Sequence, residues 1–198
     1  MKKKESTLLN MVSVLLIITL VAGLSLGYVN DLTLEPKARA RLARVMNALD
    51  IVLPQFNNEP VSSKVQIKVK GVKDSTSIYP AYRDSIFVGA AVTGISEKGY
   101  SGVVKLMVGF EPDGQIKDIV VLEQKETPGL GTKMKGEKFL SQFRNQDPAN
   151  ILLKVKKDGG DVDALSGATI SSRAFAEATQ QAFDVFTSYE KTEIDYDQ

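Results

Sequence analysis

Residues 8–29 form a run of 22 residues without a charge, rich in Leu, Ile and Val. Nothing else in the chain restricts its fold as much, because so long an apolar stretch is stable only where something other than water covers it. Wound as a helix it spans roughly 33 Å, about the thickness of a bilayer's hydrocarbon core. A cleaved signal peptide is the rival reading, with Lys2, Lys3 and Lys4 as its charged start. The apolar part of such a peptide is shorter, about 7–15 residues, and ends at a small-x-small site. Here Leu24, Leu26 and Tyr28 follow Gly23 without one, so the run reads as a retained anchor. Lysines crowd the short tail before it, and Lys37, Arg39, Arg41 and Arg44 follow it. Long translocated domains largely escape the positive-inside rule, so the tail decides. This reading puts residues 1–7 in the cytoplasm and everything after the anchor on the extracytoplasmic side.

Behind the anchor, residues 36–53 predict an amphipathic helix. Ala38, Leu42, Val45, Met46, Leu49, Val52 and Leu53 recur at three- and four-residue spacing, with Arg39, Arg41 and Arg44 between them. Pro36 suits a first helical turn, and Pro54 stops the helix. With the polar stretch 55–64 it makes a stalk and linker over residues 30–64, ahead of a domain at 65–198. That domain opens with period-two segments at 65–69, 77–82, 86–95, 103–110 and 116–122. They end in turn residues: Gly71, Arg83-Asp84-Ser85, Lys98-Gly99 and Pro112-Asp113-Gly114. The last two segments predict an antiparallel hairpin. A short helix at 136–143, a strand at 151–155 and a long helix at 170–189 follow. The long helix carries Ala174, Ala178, Ala182, Val185, Phe186 and Tyr189 on one face. The fold class is therefore α+β: an N-terminal transmembrane helix and a stalk helix, then a mostly antiparallel sheet with packed helices.

Composition then narrows the chemistry. The chain has no His and no Cys, which excludes a disulfide framework, a thiolate nucleophile, a His-based triad and zinc, haem or iron–sulfur ligation through those residues. Redox or acid–base work would fall to carboxylates, hydroxyls, lysines or a bound cofactor. Beyond residue 29 there are 22 basic and 23 acidic residues, without the concentrated basic excess of nucleic-acid binders, so no nucleic-acid partner is expected.

Three glycine-containing motifs punctuate the domain: Gly99-Tyr100-Ser101-Gly102, Glu126-Thr127-Pro128-Gly129-Leu130-Gly131 and Asp163-Ala164-Leu165-Ser166-Gly167-Ala168-Thr169. Each has a plain structural reading: a hairpin loop, a turn whose glycines allow positive φ, and a helix cap. The third says more. A helix start presents unpaired N–H groups and a partial positive charge, which suit a phosphate. Gly167 lets the backbone approach closely, Ser166 and Thr169 add hydroxyls, and a phosphate ester on Thr169 would set its charge at that helix start. Lys154, Lys156 and Lys157 either add positive potential or form a solvated strand face. Asp158, Asp161 and Asp163 fall short of a calcium loop in spacing and ligand number.

Asp163-x-x-Ser166-Gly167-Ala168-Thr169 resembles the flavinylation motif of the FMN-binding domain family, in which a threonine hydroxyl holds FMN covalently through its phosphate. The other two motifs match the same family in the same order, and the resemblance runs from about residue 77 to residue 189. Within the family the chain is similar to the G subunits of Rnf-type ion-translocating electron-transport complexes; the C subunits of the sodium-pumping NADH:quinone reductase are similar but usually longer. The resemblance implies FMN bound by a phosphoester to Thr169, with Asp163, Ser166, Gly167 and Ala168 around the attachment. It implies Tyr100, Glu126, Thr127, Gly129, Leu130 and Gly131 near the isoalloxazine or its ribityl chain. A flavin would supply the redox chemistry that the side chains lack. The resemblance further implies a non-autonomous redox component of a ferredoxin:NAD oxidoreductase in a bacterial cytoplasmic membrane, with other membrane redox subunits as partners. A flavinyltransferase using FAD and Mg²⁺ would mature it. With no acidic or basic residue at 8–29, ion translocation would belong to multi-span partners. Two other classes compete: a membrane-anchored sensor or binding domain without cofactor, and a pilin-like assembly protein, whose usual acid inside the apolar run is lacking because Glu5 lies before it.

Overall fold

The computed structural model describes residues 8–67 and 76–196, with side chains described as far as Glu190. The lysines at positions 2–4, the end of the first expected strand at Lys68 and Val69, and the turn expected at Gly71 lie outside the described residues. The chain divides between Arg44 and Val45 into two compact units.

One helix, α1 (Leu8–Val52), makes up the described part of the first unit and enters the second. Its N-terminal part is long and apolar enough to cross a membrane, and none of that window is buried against protein. Two hydroxyls there are turned back onto the helix: Ser13 donates to the Leu9 carbonyl at 2.8 Å and Thr19 to that of Leu16 at 3.0 Å. Each thereby hides a donor that an apolar surround would penalise. The sequence suggests a second helix beginning at Pro36, but Pro36 lies inside α1. Between Val29 and Pro36 there is no glycine or proline to end the helix. The proline forfeits its own N–H bond, a cost of about 3 kcal/mol, and the freed Leu32 carbonyl sits on an exposed stretch.

The second unit is built on a five-stranded antiparallel meander in the order β1 (Val65–Ile67), β2 (Thr76–Arg83), β3 (Ile86–Ser96), β4 (Val104–Phe110) and β5 (Ile116–Glu123). Strand alternation sorts its residues between two faces. Ile78, Ala90, Val92, Leu106 and Val108 share one core with the long helix α3 (Thr169–Tyr196), through Ala174, Ala178, Ala182 and Phe186. Tyr79, Ala81, Ala91 and Met107 face the other way, onto Ala48, Leu49 and Val52 at the end of α1. Two glycines set how closely these helices lie. A Cβ on Gly94 would stand 2.0 Å from the Ala178 carbonyl oxygen, and one on Gly109 1.9 Å from that of Val52. The apolar face expected at 36–53 is used only in part: Val45, Ala48, Leu49, Val52 and Leu53 join the core, whereas Ala38, Leu42 and Met46 are exposed.

After β5 come a 3₁₀ turn (Gly131–Lys135) and α2 (Glu137–Leu140), shorter than the helix expected at 136–143. Phe139 and Phe143 of this region meet Phe175 of α3 with ring centroids 5.1 and 4.9 Å apart. The strand expected at 151–155 is a loop with one bridge, Val155 to Val162. Gly159, at φ 81°, turns the chain back at once. The loop then satisfies itself: Lys156 N–H donates to the Val162 carbonyl, Val162 N–H to that of Lys154, and Asp161 N–H to that of Leu152. These bonds take up the backbone groups that a sheet strand would offer to a neighbour.

Candidate functional site

The first two glycine motifs and the first turn of α3, just past the third motif, meet at one side chain. Glu126, directly after β5, is 4% exposed. Its Oε1 accepts the Ser101 N–H at 3.1 Å, and its Oε2 accepts the Ser171 hydroxyl at 2.6 Å. One buried carboxylate thus joins the β3–β4 loop, its own turn and the first turn of α3. The glycines around it exist because there is no room for anything larger. A Cβ on Gly131 would lie 2.6 Å from Glu126 Cβ and 2.7 Å from Ser171 Oγ. One on Gly99 would lie 2.7 Å from Glu126 Oε1 and 2.2 Å from the Gly102 carbonyl.

Two tight turns flank this seam. In Thr127-Pro128-Gly129-Leu130 the Leu130 N–H returns to the Thr127 carbonyl at 3.2 Å, with Gly129 at φ 76°. In Leu165-Ser166-Gly167-Ala168 the Ala168 N–H returns to the Leu165 carbonyl at 3.0 Å, with Gly167 at φ 74°. A positive φ at the third position is what a type II turn demands, and glycine meets it without strain. The turns touch each other, since a Cβ on Gly167 would be 3.3 Å from Leu130 Cδ2.

The second turn delivers the chain into α3. Ala168 occupies the cap position, its carbonyl accepting the first helical bond from Ser172 N–H at 3.0 Å. A cap is usually Ser, Thr, Asp or Asn, whose side chain claims an N–H of the first turn. Ala168 claims none, and among the described residues the N–H groups of Thr169, Ile170 and Ser171 have no protein partner. Ser172 instead braces the turn, accepting the Leu165 N–H and donating to the Ala168 carbonyl, both at 2.9 Å. The half-buried Thr169 therefore sits at a positive helix end left open for an anion, the donor set that a phosphate fits.

Of the other residues singled out in the sequence, Asp163 is engaged. Its carboxylate takes Lys156 Nζ at 2.8 Å, and Gln142 brackets its backbone, accepting the N–H at 2.7 Å and donating to the carbonyl at 3.3 Å. Glu126 and Gly131 are buried in the seam, while Tyr100, Thr127, Gly129, Leu130, Ser166 and Gly167 are exposed. Tyr100, Leu130 and Ile170 immediately precede the three residues gathered at Glu126, namely Ser101, Gly131 and Ser171, and expose 68%, 42% and 45% of their surface. Of these, Leu130 lies against the turn at Gly167. A cavity of about 670 Å³ opens next to Ser166, lined also by Lys133, Phe139, Gln142, Ala164 and Leu165. That volume is within the usual range for organic ligands. Arg144 braces α2, which lines that cavity, by donating to Asp118 at 2.7 Å and to Glu137. On the other flank Arg173 grips Asp158 with two bonds of 2.6 and 2.7 Å, and that hydrogen bonding holds the Asp158 carboxyl below its usual range.

Ser171, Ser172, Gln142 and Ile170 were not singled out by sequence reasoning. Ser171 and Ser172 did leave a signal, being hydroxyl residues in phase with the buried face of α3, one turn ahead of Ala174 and Phe175.

The chain is similar to known proteins. The FMN-binding domain family matches residues 99–184, from the first glycine motif to beyond the third. The chain is 32% identical over 170 residues to the G subunit of the ion-translocating oxidoreductase complex of Aliivibrio fischeri, covering 81% of each. To the protein of that name in Haemophilus influenzae it is 37% identical over 138 residues, 66% of this chain and 67% of the relative. Among solved structures, the crystal structure of Shewanella oneidensis NqrC is similar at 23% identity, with a TM-score of 0.46 over 69% of this chain and 70% of that one.

Proposed function

Since the chain belongs to the G-subunit family of ion-translocating oxidoreductase complexes, we propose that it relays electrons within such a complex through FMN esterified to Thr169. The observation that carries this reading is the convergence on Glu126, which sets the open start of α3 beside the turns of the other two motifs. A bound flavin supplies one- and two-electron redox chemistry.

The chain's own residues do the rest. Thr169 Oγ is the attachment atom, and the unclaimed N–H groups at the start of α3 hold the phosphate's charge. Gly167, with no Cβ, keeps the approach clear. Ser166 and Ala168 shape the turn, and Asp163 anchors its entry through Lys156 and Gln142. Tyr100, Leu130 and Ile170 offer apolar surface to an isoalloxazine, with Thr127 and the backbone at Gly129 within the same rim. A flavinyltransferase working with FAD and Mg²⁺ would load the site. Residues 8–29 anchor the chain, residues 30–64 form stalk and linker, and residues 65–198 form the FMN-binding domain on the extracytoplasmic side, with the N-terminus in the cytoplasm. Ion passage falls to multi-span partners, because the anchor has no acidic or basic residue. The electrons are those exchanged between ferredoxin and NAD.

The test is intact-mass spectrometry of the full chain co-expressed with a flavinyltransferase. The wild type should gain one FMN that survives denaturation, and Thr169→Val should gain none. A wild type that stays unmodified, or a Thr169→Val variant that still carries flavin, overturns the assignment.

A further inference from the structure

We propose that Ser171 is a positioning residue for flavin attachment: through its bond to Glu126 it sets the rotation of the first turn of α3, and so the direction in which Thr169 presents its hydroxyl. The proposal rests on the reading that Thr169 is the attachment site.

Ser171 lies two residues beyond Thr169. At 100° per residue the two side chains diverge by about 200° around the helix, so the direction of one fixes that of the other. Ser171 is 2% exposed and held to Glu126 at 2.6 Å. Glu126 is itself fixed on its other oxygen by the Ser101 N–H and at its own N–H by Gln124 Oε1 at 2.6 Å. Gly131 and Gly99 close on the same carboxylate so tightly that neither tolerates a Cβ. The start of α3 has no side-chain cap to hold it, since Ala168 stands there. Ser172 braces the turn along the helix axis, and the Ser171–Glu126 bond adds the lateral restraint that ties this helix end to the sheet. Thr169, half-buried, is left on the opposite side of the turn from the seam, next to the exposed Ser166, Gly167 and Ile170.

Attachment is a phosphoryl transfer without redox change. Thr169 Oγ attacks the flavin-side phosphorus of FAD, the new O–P bond replaces the bond to the second phosphate, AMP leaves, and the hydroxyl proton passes to solvent. In-line attack of this kind depends on the angle and distance of the incoming oxygen, and misplacement by about 1 Å costs up to ~10²-fold in rate.

The experiment follows covalent flavin incorporation into the purified full chain by intact mass, against time and FAD concentration, with the transferase at fixed concentration. Ser171→Ala should lower the maximal rate of attachment by about 10-fold or more while the protein remains folded by circular dichroism. Ser171→Thr, which keeps the hydroxyl, should restore most of it. Val185→Ala, a core truncation further along the same helix, supplies a comparable loss of stability without touching the seam and should load at the wild-type rate. Wild-type loading in Ser171→Ala, equal slowing in Val185→Ala, or failure of Ser171→Thr to rescue overturns the positioning role while leaving Thr169 as the site. A wild-type chain that never loads removes the underlying reading as well.

Discussion

Truncating Glu126 to alanine should cost far more than its size suggests. The side chain is almost wholly buried and accepts two hydrogen bonds, from Ser101 N–H and Ser171 Oγ. A hydrogen bond to a charged group contributes about 1.5–3 kcal/mol net, and a buried donor left without a partner costs about 1–3 kcal/mol. Ser171 is sealed from water, so its loss sits near the middle of that range, whereas the Ser101 N–H lies on a loop that solvent can reach. The sum is about 3–4 kcal/mol, a large share of the roughly 5–15 kcal/mol that holds a domain folded. Glu126→Gln should cost about 1 kcal/mol, since its amide oxygen can serve Ser101 while its NH₂ donates to Ser171. Ser171→Ala alone should cost about 1–3 kcal/mol, and combined with Glu126→Ala the two should couple by about 1–2 kcal/mol. The assay is urea unfolding of the detergent-solubilised full chain followed by circular dichroism, with the slope on urea compared between variants. A Glu126→Ala cost below about 1 kcal/mol, equal costs for Ala and Gln, or coupling under about 0.5 kcal/mol would refute the seam as the structure's organising contact.

Two further perturbations reach the scaffold. Gly94→Ala forces a methyl group to within 2.0 Å of the Ala178 backbone carbonyl; because backbone cannot rotate aside, the variant should lose about 3 kcal/mol or more of stability, seen as a lower thermal midpoint, and an unchanged midpoint would mean α3 does not lie this close. Burial keeps the Tyr79 phenol above its ordinary ionisation range, against a smaller opposing effect of the neighbouring Ser77. Its contribution to stability is therefore complete below about pH 10 and lost as pH rises beyond it, so Tyr79→Phe should flatten the alkaline limb of the stability profile, and parallel limbs would contradict the burial of that hydroxyl.

Local patterns were legible wherever the property depended on near neighbours. The uncharged run before Asn30 is legible from its length alone, and the alanine stripe of α3 from a helical period that needs no knowledge of the rest of the fold. The helix start at Thr169 was readable for the same reason, from a glycine turn followed by that stripe. Pro36 misled, because a proline favours a helix start, yet nothing between Val29 and Pro36 ends the helix already under way, and α1 runs through it despite the cost. Residues 151–155 misled because their alternation was real but their backbone groups found partners a few residues on, after the turn at Gly159.

The sequence by itself determined the long apolar N-terminal helix and the α+β class, since apolar length and residue period are properties of the chain, while Thr169 as attachment site rests on the resemblance of its motif. Only the tertiary structure decided that Glu126 is the hub of the site, that Ser171 is its partner 45 residues away, and that Gly94 and Gly109 are where the helices rest on the sheet. The physical reason is that a hydrogen bond or a close backbone contact between distant residues is specified by neither residue alone. Any of several carboxylates could accept from any of several serines, and the choice is made by which of them the packed sheet and helix bring within about 3 Å.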